Sequence, residues 1–456
     1  MTTDYRNQRI VVVGAGRSGV GLARYFQARG ASVTLSDRRS LEQLPGVDQL
    51  VSLNIGLDLG GHSEMLFTGA DLIALSPGVP LEVPAIAKAV AAGVPVLGEI
   101  EIAWRELPQP LVAITGTNGK STVTTVMGEV FRAWGKQTFV GGNLGTPLIE
   151  AVGTAWDWLV VELSSFQLET IERFRPRWAV LLNITEDHLD RYPDMASYQA
   201  AKARLFENLT ADDFMVLNAD DPLVMQAAAA SPARCVPFSG SRQLAEGMSL
   251  DGGDLVWRWN GSEKRFPASE LRIGGQHNLE NVMAAMIPPL VEGCPLEVAW
   301  GAATRFTGLP HRMQLVAELN GVRWFDDSKG TNVGSVVKSL AGLKAPVTLI
   351  AGGKDKQGDL APLFELIAER VRELILIGEA APRMATAFAG LTSIRRAASM
   401  TEAVQLAAQV TPAGGTVLLS PGCSSFDMFK SYEERGRIFA AAVRALGGAE
   451  EGAHGA

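Results

Sequence analysis

The sequence is poor in residues that cross-link a chain or bind soft metals. It holds three cysteines, Cys235, Cys294 and Cys423, too widely spaced for a disulfide framework or a ligand pair. That excludes a stapled secreted scaffold and suits a reducing compartment. Histidine is scarce, at five, and aromatic residues make up only 7%. No apolar run reaches the roughly 18 residues that suggest a membrane span. Positive charge is not in excess either: 41 Lys and Arg against 49 Asp and Glu leave a formal net charge of -8. Such a balance gives no footprint for nucleic acid or an anionic membrane surface. The polar start, MTTDYRNQRI, lacks the apolar core of a secretory signal. The expectation is a cytoplasmic monomer acting on small molecules, with no nucleic-acid partner and no membrane insertion.

What is present is ordinary globular material: 47% hydrophobic, 20% charged, with 48 glycines and 23 prolines. A chain of this length suits about three domains. Short apolar, β-branched runs alternate with helix-like segments, at 10–13, 32–36, 72–75, 112–114, 159–161, 179–182, 347–350, 374–377 and 416–419. Their unbroken apolarity predicts parallel strands covered on both faces. The rhythm predicts an α/β protein with doubly wound sheets. One segment differs: 255–259 and 262–266 flank Asn260-Gly261, which predicts an antiparallel hairpin. Glycine and proline punctuate 93–98 and 308–310, giving boundaries for domains at 1–98, 99–308 and 309–456. A Gly/Ala-rich tail after Gly447 is expected to fray.

Five motifs carry chemistry. Gly14-Ala15-Gly16-Arg17-Ser18-Gly19 follows the first strand run, and Asp37 closes the next. This matches a dinucleotide fingerprint, in which glycines admit a phosphate at a helix N-terminus and the acid accepts from a ribose hydroxyl. A nicotinamide or flavin, another nucleotide diphosphate, and a ligand-free turn all remain open. Gly116-Thr117-Asn118-Gly119-Lys120-Ser121-Thr122 looks like a P-loop entering a helix over 122–131. The strict pattern wants glycine at 114, where Ile114 stands, and Gly116 sits closer in. Glu162 ends an apolar run, at the crevice end of a buried strand, where it suits a Mg²⁺ ligand or a helix N-terminal charge. His188 lies in the polar run Asn183–His188, again just after a strand. Residues 194–209 show helical periodicity, and Lys202 falls on the apolar stripe with Tyr198, Leu205 and Leu209. A lysine there is paired, modified or snorkelling.

Weaker polar loops follow at 275–281, His311-Arg312 and 325–332. Joined together, and with Gly141-Gly142-Asn143, Val161–Glu169 and Leu419–Ser425, these segments resemble the Mur ligases, ATP-driven amide-forming enzymes of peptidoglycan precursor synthesis. The resemblance runs through essentially the whole chain and is strongest to the family member that adds D-glutamate to UDP-N-acetylmuramoyl-L-alanine. It implies a Rossmann-like N-terminal domain, a central P-loop-type ATPase domain and a Rossmann-like C-terminal domain that closes over the site. It also implies that Gly14, Arg17, Ser18, Asp37, Arg39, Ser76 and Gly78, with Asn143, hold the UDP substrate. ATP falls to Gly116, Thr117, Asn118, Gly119, Lys120, Ser121, Thr122, Asn278, Asn281, Arg312 and Asp327. Mg²⁺ falls to Ser121, Asn143 and Glu162, with His188 and a carbamylated Lys202 at a second metal site. Lys120, His188 and Lys202 are the implied catalytic set. Glutamate falls to Lys329, Thr331, Lys356, Ser425 and Tyr432; register alone separates Lys356 from Lys354, and Tyr432 stands where the family has phenylalanine. Three other classes compete. A nicotinamide dehydrogenase leaves Gly116–Thr122 idle, folylpolyglutamate synthase lacks such an N-terminal domain, and a UDP-sugar sensor would release no phosphate.

Overall fold

Each predicted apolar run forms a strand in the computed structural model, which describes residues 4–44, 46–188 and 191–451. The first sheet contains β1 (Arg9–Val13), β2 (Ser32–Asp37), β3 (Gly56–Leu59), β4 (Leu72–Leu75) and β5 (Val96–Gly98). Their order is β3-β2-β1-β4-β5, all parallel. The second contains β6 (Leu111–Thr115), β7 (Thr138–Gly142), β8 (Trp158–Glu162), β9 (Trp178–Leu181), β10 (Phe214–Leu217) and β11 (Arg234–Cys235). It is also parallel, in the order β11-β10-β9-β6-β8-β7. Beside it lies a small sheet of β12 (Phe238–Ser239), β13 (Gly247–Asp251), β14 (Asp254–Trp259) and β15 (Ser262–Pro267). The predicted hairpin is β14–β15, and its turn residues Asn260 and Gly261 both have positive φ, 49° and 76°. That is the mirror-image turn that matches strand twist.

The last sheet contains β16 (Gln314–Leu319), β17 (Val322–Asp326), β18 (Val347–Gly352), β19 (Val371–Ile377), β20 (Ser393–Arg396) and β21 (Thr416–Leu419). Its order is β16-β17-β21-β18-β19-β20, parallel except for β16 on β17. By its contacts the chain forms two compact units. One is Met1–Ile184, Tyr198–Leu271 and Asn278–Phe306; the other is Thr185–Ser197, Arg272–His277 and Thr307–Ala456.

Two expectations about helices need adjustment. The segment 194–209 is a helix only over Met195–Ala203, continued by a tighter 3₁₀ turn at Arg204–Phe206. The tail expected to fray after Gly447 stays helical to Glu451, as part of the helix Tyr432–Glu451; residues 452–456 lie outside the described residues. No helix among the described residues is long and apolar enough to cross a membrane.

One buried acid is a structural cost in itself. Glu99 begins the helix Glu99–Arg105 and is 1% exposed. Its Oε1 accepts the Ile149 N–H at 2.7 Å, while Oε2 is buried without a hydrogen-bond partner. Burial pushes its carboxyl from 4.5 up to about 7. The folded chain therefore holds this proton more tightly than the unfolded one. The stability this confers is complete below pH 4.5 and is lost as pH rises through about 7. Glu99→Gln keeps the acceptor and cannot ionise. Its stability advantage over the wild type should grow between pH 5 and pH 8 by up to about 3 kcal/mol, read from urea midpoints. A gap that stays constant across that range would mean the acid titrates normally.

Candidate active site

In the first sheet the strand order reverses at β1, so the loops after β1 and β4 leave in different directions and open a crevice at their carboxyl ends. Gly14 has φ +94°, and Ser76 Oγ donates to its carbonyl at 2.8 Å. Gly19, one turn into the helix Arg17–Gln27, packs so tightly that a Cβ would collide with that same carbonyl. No side chain caps the helix at Gly16, which leaves its first amides to water or a ligand. Arg17 is exposed and Ser18 half-buried at this end, and Gly78 has φ +95° in the facing loop.

Asp37 differs from its sequence reading in one respect. Its carboxylate accepts the Ala15 N–H at 2.7 Å and the Arg39 N–H, Nε and Nη2 at 2.9, 3.0 and 2.8 Å. Burial would raise its pKa, but these bonds and the Arg39 charge outweigh it and hold the group at about 2. Asp37 thus anchors the glycine loop from behind. A polar cluster absent from the sequence reading stands beside it. Ser36 Oγ donates to Asp58 at 2.7 Å and meets His62 Nδ1 at 2.8 Å, and Ser63 Oγ donates to Asp58 at 2.5 Å. The Gly60-Gly61-His62-Ser63 run after β3 was its only sequence signal.

The second sheet builds the phosphate-type loop. Between β6 and the helix Lys120–Ala133, Gly116 has φ +151° and Gly119 φ +87°. A Cβ on Gly116 would press on Leu182, and one on Gly119 would collide with Asn281 Oδ1 of the helix Gln276–Val291. Asn183 clasps the loop: its carbonyl accepts Thr117 N–H at 2.9 Å, its Oδ1 accepts Asn118 N–H at 2.8 Å, and its Nδ2 donates to Asn118 O at 3.0 Å. Lys120 Nζ folds back to Gly116 O and Thr117 O, both at 2.8 Å. Lys202, 1% exposed, donates to the same Gly116 carbonyl at 3.1 Å and lies 4.6 Å over the Tyr198 ring. Tyr198 in turn meets Thr117 Oγ1 at 3.2 Å. Asn278 lies within reach of Asn281, Oδ1 to Nδ2 at 3.4 Å.

Register brings the ends of β6, β8 and β7 side by side, with Glu162 opposite both Ile114 and Gly142. Glu162 is 3% exposed; its Oε1 accepts Asn143 Nδ2 at 2.7 Å, and its Oε2 is buried with no hydrogen-bond partner. An orphaned carboxylate oxygen is costly in a dry site and is relieved by a cation. Ser121 and Thr122, both buried, open the neighbouring helix. Among the described residues no three His, Cys, Asp or Glu side chains cluster as a metal-binding group. A cation here would rest on one carboxylate with hydroxyl, amide and phosphate oxygens, the mixed set that suits Mg²⁺.

In the other unit the carboxyl ends of β17, β21 and β18 are neighbours and carry Lys329 and Thr331, Ser425, and Lys356 respectively. Lys329 Nζ lies 4.0 Å over the Tyr432 ring, and Ser425 is buried. Lys354 is exposed, whereas Lys356 turns inward to Asp187 Oδ1 at 3.0 Å. Asn332 Nδ2 donates to the other Asp187 oxygen at 3.0 Å. Burial would raise Asp187, but Lys356, His188 and these bonds hold it at about 2. His188, at φ +57°, belongs to this unit, and its Nε2 is 3.7 Å from Asp187. A cavity of about 260 Å³ opens here, lined by Asp187, His188, Asn332, Lys338, Lys356 and Arg383 among others. Asp187, Asn332, Lys338 and Arg383 were absent from the predicted set. Asp327, expected near ATP, is buried and accepts Ser339 Oγ at 2.7 Å and Ser420 Oγ at 2.8 Å. Burial lifts it to about 6 despite those bonds and the charge of Arg312. The adjacent Asp326 holds His311 Nδ1 at 2.6 Å.

Comparison with known proteins gives a consistent picture. Residues 8–98 match the model of the Mur ligase MurD-like N-terminal domain, 114–288 the Mur ligase middle domain, and 311–423 the Mur ligase glutamate ligase domain. The chain is 64% identical to the UDP-N-acetylmuramoylalanine–D-glutamate ligase of Syntrophotalea carbinolica, over 98% of this chain and 99% of that protein. It is 53% identical to the enzyme of the same name from Geotalea uraniireducens, over 96% and 98%. Among solved structures, the UDP-N-acetylmuramate-alanine ligase MurC of Thermotoga maritima has a TM-score of 0.59 at 19% identity, covering 96% of this chain and all of that one (100%). A pseudomurein peptide ligase type C from Methanothermus fervidus reaches 0.61 at 20%, over 91% and 97%.

Proposed function

The chain belongs to the Mur ligase family, and from that premise we propose its reaction and its working parts: it joins D-glutamate to UDP-N-acetylmuramoyl-L-alanine with ATP, in peptidoglycan precursor synthesis. Residues 1–98 bind the UDP substrate, 99–308 bind ATP and 309–456 bring the amino acid, in a cytoplasmic monomer. The observation that carries this reading is the convergence on the 116–122 loop. Two lysines reach one loop carbonyl, and on the neighbouring strand end Glu162 keeps a buried oxygen without a partner. Such a site is built for polyanion and cation together.

The alanine carboxylate attacks the γ-phosphorus of ATP, the bond to the β-phosphate oxygen breaks, and an acyl phosphate and ADP result. The amine of glutamate then adds to the acyl carbon, loses a proton, and the C–O bond to phosphate breaks. Activation is needed because a free carboxylate repels nucleophiles and has no good leaving group. Lys120 and the amides of Gly116–Thr122, with Asn278, Asn281, Arg312 and Asp327, hold ATP and neutralise charge on the transferring group. Ser121, Asn143 and Glu162 would hold Mg²⁺, and His188 and carbamylated Lys202 would serve a second metal site; the metal would supply charge neutralisation for phosphoryl transfer. Gly14, Arg17, Ser18, Asp37, Arg39, Ser76, Gly78 and Asn143 retain the nucleotide sugar. Lys329, Thr331, Lys356, Ser425 and Tyr432 retain glutamate, and the inward turn of Lys356 favours it over Lys354.

The test is phosphate release by the full chain with ATP, Mg²⁺, UDP-N-acetylmuramoyl-L-alanine and a panel of D- and L-amino acids. Release should require the nucleotide sugar and rise with D-glutamate over L-glutamate, D-aspartate and glycine. No response to glutamate of either hand would overturn the assignment.

A further inference from the structure

The helix Tyr432–Glu451 carries, in its first turn, a charge that the reaction scheme leaves unused. Arg435 is wholly buried, at 0% exposure. Its Nε donates to Ser328 Oγ at 3.0 Å and its Nη2 to Ser328 O at 2.8 Å. Its Nη1 donates to Cys423 O at 3.1 Å and Ser424 O at 3.3 Å. All four acceptors are uncharged oxygens. Burial draws its pKa down to about 10, so it stays a cation at neutral pH. A buried guanidinium fixed by neutral acceptors is an expensive way to fill space, since apolar packing serves as well or better.

The acceptors show what the charge holds. Ser328 lies in the loop after β17, and Cys423 and Ser424 lie in the loop after β21. The loop after β18 joins them, because Lys354 N–H donates to Ser424 O at 2.9 Å. Gly353 must be glycine there: at φ +134°, a Cβ would collide with Ser424 O and stand 3.2 Å from Arg435 Nη1. Ser328 Oγ also donates to Tyr432 O at 2.8 Å, tying the helix start to the same point. One guanidinium thus ties the loops after β17 and β21 to the helix start, and the loop after β18 is held in turn through Ser424. Those elements carry Lys329 and Thr331, Ser425, Lys356 and Tyr432.

We infer that Arg435 is the positioning residue for the amino-acid subsite, setting the distance between the groups that hold the two carboxylates of glutamate and so the length of amino acid accepted. This rests on the reaction proposed above. The guanidinium itself touches no substrate; it acts through the loops.

The test is steady-state kinetics of full-length Arg435→Met and Arg435→Lys, varying each substrate in turn. Arg435→Met should raise KM for D-glutamate by about tenfold or more and narrow the preference for glutamate over the shorter aspartate, with KM for ATP and the nucleotide sugar within about twofold. Arg435→Lys should fall between, since an ammonium cannot span four separated acceptors. A general loss of kcat with all three KM values moving together, or an unchanged glutamate KM, would overturn the inference. Should both variants fail to fold, Ser328→Ala decides: a rise of about threefold confined to glutamate KM supports the role, and no change refutes it. Wild-type protein that ignores glutamate altogether would instead sink the proposed reaction, an outcome the variants do not affect.

Discussion

Lys120→Ala should release phosphate at about a thousandth of the wild-type rate, while the protein melts within a few degrees of it. In the structure the Lys120 amine closes back onto the carbonyls of Gly116 and Thr117. Those carbonyls belong to the loop whose shape is set independently, by Asn183 and by the tight approach of Gly119 to Asn281. The loop should therefore survive loss of the amine, and only the charge over the transferring phosphoryl group is removed. Because the bond-breaking step gathers negative charge that the ground state has less of, the loss should fall on kcat more than on KM for ATP. Lys120→Arg would keep the charge but not the point-like shape, and should recover little. Circular dichroism and a thermal melt establish that the variant is folded. Undiminished phosphate release from a folded Lys120→Ala would remove the loop from the mechanism.

The sequence was most legible where one physical demand dominates. Short unbroken apolar runs bounded by turn residues read as strands covered on both faces, so the parallel cores of three sheets were readable; β10 (Phe214–Leu217) carries the same signature, whereas the longer apolar run 282–290 is a buried helix. Edge elements were not readable. β3 is half-exposed along its length and β16 alternates with polar residues, so neither shows a continuous signal. The glycine loops were legible because a positive φ and a close approach leave few alternatives, as at Gly116 and Gly119. Lys202 was legible because a lysine on an apolar stripe is out of place, and it is indeed buried. Asn183 and Arg435 were not. An asparagine in a polar loop reads as turn chemistry, and an arginine in Tyr432-Glu433-Glu434-Arg435-Gly436 reads as one more surface charge. What distinguishes them is which distant backbone atoms they reach, Asn118 for one and Ser328, Cys423 and Ser424 for the other. Periodicity carries no information of that kind. Asp187 was hidden for a similar reason: its partners Asn332 and Lys356 lie 145 and 169 residues away.

Lys202→Ala should lower kcat by about 10²- to 10³-fold. The structure shows the unmodified amine at the Gly116 carbonyl, which Lys120 also uses. Two ammonium groups drawn to one oxygen repel each other, and a buried site screens that repulsion poorly. Addition of CO₂ to Lys202, with release of two protons from its ammonium group, replaces a cation by an anionic carbamate. The change removes the repulsion and creates oxygen donors where a metal could use them, beside the Tyr198 ring. Alanine supplies neither charge nor oxygen, whereas Lys202→Met preserves most of the volume and separates loss of packing from loss of chemistry. Both variants should be almost inactive, with Lys202→Met the better folded. Wild-type protein equilibrated with ¹³C-bicarbonate should show a carbamate carbon resonance that neither variant shows. If Lys202→Met kept most of its activity, the side chain would be a packed, snorkelling lysine, and the second metal site would have to be built without it.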